Sequence, residues 1–122
     1  MAAHKEVTRL SLFNGTSLPA SGILTSSGID LSLAQNGYFA VEISVCGGSR
    51  INVTYLVSIT GVTFGTPTSA TSIVTHMTGT SGPSSNGWDI YTFTPELGKL
   101  MKIKIAEQAG TAGAVFVDLA LA

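Results

Sequence analysis

An all-β fold, a single-domain antiparallel β-sandwich or jelly roll of about eight strands, is what this sequence predicts, and three observations carry the prediction. Apolar and polar residues alternate over several runs of six to ten residues. Those runs are separated by short links rich in Gly, Ser, Asn and Pro. No stretch repeats its apolar residues at helical spacing. The clearest alternation lies between Trp88 and Leu121. Leu100 to Ile105 sets Met101, Ile103 and Ile105 against Lys102 and Lys104, and Ala114 to Leu121 sets Val115, Val117, Leu119 and Leu121 against Phe116 and Asp118. Successive side chains on a strand point to opposite faces, so each run has one face for a core and one for solvent. Asp89 to Thr94 is a third strand, ended by Pro95.

Taken from the start, Val7 to Phe13 alternates loosely and reads as a first strand that Asn14-Gly15 ends. Leu18 to Gly22 is a loop, Ile23-Leu24 a brief pairing, and Ile29 to Leu33 a strand with Ile29, Leu31 and Leu33 on one side. After the turn Gln35-Asn36-Gly37, Tyr38 to Cys46 directs Phe39, Val41, Ile43 and Val45 inward and Glu42 and Ser44 outward. Arg50 to Thr60 directs Ile51, Val53, Tyr55, Val57 and Ile59 inward, and the link Gly47-Gly48-Ser49 is short enough to make the two a tight hairpin. The link Gln108 to Gly113 predicts a second hairpin from the last two strands. Ile73 to Met77 is a short strand between two polar loops, Thr60–Thr71 and Thr78–Gly87, whose composition suits mobile segments, and Pro95 to Lys99 offers at most one helical turn.

The chain has 122 residues, enough for one domain with a real core and a short N-terminal arm of about residues 1–6. Only 11% of residues are charged and the net charge is -1, which argues against nucleic acid and anionic membranes as partners. No run approaches the ~18 apolar residues of a membrane span, and the polar start Met1 to Glu6 lacks the apolar core of a secretory signal. The single cysteine, Cys46, forms no internal disulfide and reads as a small filler.

Chemistry is thinly supplied. His4 and His76 stand apart from any metal-ligand spacing, and the carboxylates are never close in sequence, so we expect no catalytic, metal or cofactor residues and no enzyme activity. An aromatic face beside an amide and a carboxylate is what sugar binding uses, which makes Trp88, Tyr91, Asn86 and Asp89 the candidate glycan contacts.

The order Val57-Ser58, Gly61-Val62-Thr63-Phe64, Ile73-Val74-Thr75, Thr80-Ser81-Gly82-Pro83, Asp89-Ile90-Tyr91 and Met101-Lys102-Ile103-Lys104 resembles small accessory virion proteins of tailed bacteriophages, over residues ~38 to 122. That resemblance implies a β-sandwich or jelly roll that decorates or cements the outside of a capsid. It further implies a location in the virion after assembly in the host cytoplasm, and contacts with the major capsid protein or another virion protein. A tail or head-fibre attachment role, or glycan binding, is the alternative. With so few charges the surface must be largely Ser, Thr, Ala and aliphatic, which is cheap to desolvate, and this predicts a homo-oligomer touching its neighbours through Lys5 to Phe13 and the two long loops. Lys102 and Lys104 are the residues expected to guard a strand edge.

Overall fold

A computed structural model describes residues 7–68, 70, 72–95 and 98–122. Its strands are β1 (Thr8–Leu18), β2 (Ile23–Thr25), β3 (Ile29–Asp30), β4 (Phe39–Gly47), β5 (Arg50–Ser58), β6 (Val74–Thr78), β7 (Trp88–Phe93), β8 (Leu100–Glu107) and β9 (Gly113–Leu121). One sheet runs β1-β9-β4-β7 and the other β2-β8-β5-β6, with β3 also lying along β8. All pairings are antiparallel. Because β2 and β3 both lie along β8, they are two halves of one strand. The chain is then a long ribbon of nested pairs: β1 with β9, β2 and β3 with β8, β4 with β7, and β5 with β6. Rolling that ribbon brings β4 against β9 and β5 against β8, which closes two four-stranded layers into a jelly roll.

The layers enclose one apolar core. Val41, Ile43, Val115, Val117 and Leu119 line it from the first sheet, and Ile51, Val53, Met101, Ile103 and Ile105 from the second, all fully buried. At the β6–β7 side an aromatic stack spans the layers, with Phe93 5.7 Å from Phe39 and 6.0 Å from Tyr55 between ring centroids. Tyr91 also closes this side, donating its hydroxyl to the Met77 sulfur at 3.9 Å. The gap between β2 and β3 is spanned by Ser26, whose Oγ accepts the Ile103 N–H at 2.9 Å and so stands in for the missing ladder bond.

Within the observed strands the inward faces match the alternation of the sequence, with Val57 only half-buried. The strand partners do not. The two expected hairpins, β4 with β5 and β8 with β9, are absent, since each pair is divided between the sheets. Links 48–49 and 108–112 are arches that cross from one layer to the other. A short glycine-bearing link serves an arch as well as a hairpin, and alternation gives the buried face without naming the partner strand.

Four smaller corrections follow from local geometry. Asn14-Gly15 does not end β1, which continues to the fully buried Leu18 through two register shifts; Gly15, at φ 65°, takes the left-handed conformation of a bulge. Those shifts explain the loose alternation. Ile29 to Leu33 is a strand only as far as Asp30, whose carboxylate accepts the Ser32 N–H at 2.9 Å and starts a 3-10 turn at Leu31–Leu33. Ile59 is 79% exposed, because β5 ends at Ser58. Lys102 and Lys104 guard no edge: they lie on the outer face of β8, an interior strand. Of the loops, 78–87 is internally bonded, with Gly87 N–H to the Ser81 carbonyl at 2.8 Å and the Ser81 hydroxyl accepting the Thr78 N–H at 3.0 Å. The expected arm at residues 1–6, and parts of the 60–71 and 95–99 segments, lie outside the described residues.

Candidate functional site: two outer faces and a bound corner

Since the inner faces fill the core, whatever this molecule meets must meet its outer faces, edges or ends. Strand register sets the outer face of the first sheet in rows. Trp88, Ser44, Phe116 and Asn14 form one, and Ile90, Glu42, Asp118 and Ser11 the next. Phe116 is 42% exposed and lies against Gly15, where an added Cβ would sit 3.3 Å from the ring. Ile90 is 50% exposed. Glu42 and Asp118, far apart in sequence, are direct partners across β4 and β9, an arrangement of like charges that is unfavourable by itself. Arg9 on β1 offsets it, with Nη2 2.9 Å from Asp118 Oδ2. The hydrogen bond to Asp118 and then the Asp118 charge push the Arg9 guanidinium above its ordinary value, with Glu42 adding to the same effect.

The outer face of the second sheet has the opposite sign. Lys102 and Lys104 stand on it, with Leu56 across from Lys102 and Thr54 and Thr25 flanking Lys104. Phe64, carried over this face by the 61–70 loop, sits under the Lys102 ammonium at 4.3 Å, and the loop is pinned to the sheet by the Val57–Gly65 bridge. Among the described residues Arg9–Asp118 is the one ion pair, and neither Lys102 nor Lys104 has a carboxylate partner among them.

Where the two arches meet, Glu107 does what the missing hairpins would have done. Its buried carboxylate accepts five backbone N–H groups: Ser21, Gly110 and Thr111 on Oε1 at 3.0, 2.6 and 3.0 Å, and Arg50 and Ala109 on Oε2 at 3.0 and 2.8 Å. One side chain thereby joins the 19–22 turn, the start of β5 and the β8–β9 arch. Burial alone would raise this carboxyl, but the N–H groups of Ser21, Arg50, Ala109 and Thr111 overcome it and hold Glu107 down to about 2. The Ser49 hydroxyl adds a bond to the Thr111 carbonyl at 2.7 Å.

The four candidate glycan contacts do not share one face. Trp88 points to the outer face beside Ser44, whereas Asp89 and Tyr91 turn to the inner side of the same strand and Asn86 lies exposed in the preceding loop. Asp89 Oδ1 accepts the Ile90 N–H at 2.8 Å, and burial followed by the Asp89 charge pushes the Tyr91 phenol up. His76 is exposed on a bulge at φ 56°, its N–H bonded to the Asn52 side chain at 3.0 Å. Among the described residues no group of three His, Cys, Asp or Glu could hold a metal ion. Glu107, Glu42 and Asp118 were missed in sequence. Only the acidic residue directly before a glycine-bearing link, Glu107-Gln108-Ala109-Gly110, was a signal for the first.

No protein-family model matches the chain, and no curated protein does. Solved structures do. VP2 of the infectious bursal disease virus subviral particle superposes with a TM-score of 0.57 at 14% identity, over 94% of this chain and 32% of that one. The likeness is one of fold. A structure of the Gt strain of the same virus gives 0.50 at 12% identity, over 95% and 33%. The chain thus spans about a third of the length of the capsid chains it matches. A family 6 carbohydrate-binding module matches at only 0.39 with 15% identity, over 96% and 85%, too remote to bear on this chain.

Proposed function

We propose that this chain is a non-enzymatic structural protein of a tailed-phage particle, decorating or cementing the outside of the capsid through many weak contacts with the major capsid protein and with its own copies. The observation that carries this reading is the jelly roll itself, with 94% of the chain superposing on part of a viral capsid chain. Jelly rolls serve capsids and lectins alike, and what favours the capsid role here is the surface. Of the residues that could have made a sugar platform, Trp88 is on the outer face of β7, Asp89 and Tyr91 are on its inner face, and Asn86 is in the loop before it. The outer sheet faces offer broad, shallow, mixed apolar and charged surfaces suited to docking. Such a protein needs little affinity per copy, because the lattice supplies the effective concentration.

The test is immunogold electron microscopy on intact particles of the phage encoding the chain, with antibody raised against the folded protein. Regular labelling over the shell is the expected result. Label confined to the tail would transfer the protein to an attachment role, and particles free of the chain would overturn the reading.

A further inference from the structure

We propose that copies of this chain dock head to tail. The outer face of the first sheet in one copy covers the outer face of the second sheet in the next, with Glu42 and Asp118 meeting Lys102 and Lys104. The inference rests on the docking role above and names the surfaces that perform it.

Both faces carry like charges side by side. Glu42 and Asp118 are cross-strand partners, and Lys102 and Lys104 are two residues apart on one strand, hence ~7 Å apart on the same face. Within one molecule each arrangement is repulsive, and the single cation Arg9, paired with Asp118 and drawn more weakly by Glu42, relieves the first only in part. A surface of opposite sign relieves both, and it occurs on the opposite layer of the same chain. Nothing outside the chain has to be supplied, which is why a second copy fits better than an unrelated partner. Apolar contact accompanies the charge: Ile90 and Phe116 flank the carboxylates, and the aliphatic lysine stems lie beside the half-buried Leu56. At Lys102 the second face also carries the Phe64 ring on its pinned loop, so the neighbouring copy meets that ring together with the sheet. Since the two faces are on opposite sides of the sandwich, the contact is heterologous. It propagates into a row or closes into a ring, and it cannot form a two-fold dimer.

The experiment is sedimentation velocity on the purified chain without particles, so that its outcome is separate from the labelling of virions. Wild type should associate with rising concentration at about 50 mM salt and dissociate by about 500 mM, where charges are screened beyond a few ångströms. Glu42→Lys makes both outer faces basic, and Lys102→Glu with Lys104→Glu makes both acidic. Each variant alone should associate at least about tenfold more weakly, and an equimolar mixture of the two should regain association. Circular dichroism checks that both remain folded, and the salt response of wild type stands without them. A wild type that stays monomeric at low salt, association indifferent to salt, or a mixture that fails to recover would overturn the proposal.

Discussion

The Glu107 corner and the Trp88–Tyr91 strand make opposite use of sequence. The strand has the conspicuous side chains, yet the fold divides them, Trp88 to the outside and Tyr91 to the seam between layers. The corner has a single unremarked glutamate, yet five backbone donors converge on it from three segments. An aromatic residue advertises surface area, which any environment can absorb. A carboxylate acquires its role only from where the backbone amides point, and that is decided by topology.

The core sets the scale for both regions. Ile103→Ala and Ile43→Ala each remove a fully buried side chain between the layers, away from both regions, and should lower stability by about 2–5 kcal/mol in urea unfolding. Losses below about 1 kcal/mol would mean a core far looser than the burial implies. At the corner, Glu107→Gln leaves the size unchanged but turns an NH2 group toward donors. The urea midpoint should fall clearly, and the acid dependence should change too. The folded carboxyl lies at about 2 against an ordinary 4.5, so its contribution is fully present above pH ~4.5 and is lost as pH falls from there through about 2. Wild type should therefore lose stability across that window, while the Gln variant lacks this component and has the flatter profile. Equal slopes for the two would erase the distinction drawn for the corner.

Gly113→Ala probes the same place from the backbone side, because a Cβ there would collide with the Cys46 carbonyl and the Ser49 hydroxyl. A cost of about 1–3 kcal/mol is expected, with the arch bonds from Ser49 and Glu107 disturbed in amide spectra. In the aromatic strand, Tyr91→Phe should cost little and Trp88→Ala should leave the layers together, seen as a urea midpoint close to that of wild type. Arg9→Ala should be the smallest effect, within error of wild type in thermal unfolding, since the Arg9–Asp118 pair is largely exposed.

The all-β fold and the inward faces were legible in the sequence because a half-buried strand writes its burial as a period of two. Val41, Ile43, Ile103 and Val117 are buried as that period predicts. Partnership was not legible. Gly47-Gly48-Ser49 reads the same whether the chain returns along its own sheet or crosses to the other, and what decides is the long-range match of β4 with β9 and β5 with β8. The Glu42–Asp118 pair was hidden for the same reason, its members being 76 residues apart (118 minus 42) and joined only by register. Asp30 shows the limit on the local scale, where one side-chain bond to Ser32 overrides an alternation that favours a strand.

One ionised carboxylate joins the start of β5, just past the first arch, to the β8–β9 arch, and a carbon-13 NMR titration of the Glu107 carboxyl is the direct test. A midpoint near 2 is expected, with the amide shifts of Ser21, Arg50, Ala109 and Thr111 moving at the same pH. A midpoint near the ordinary 4.5, with those four amides unmoved, would contradict it.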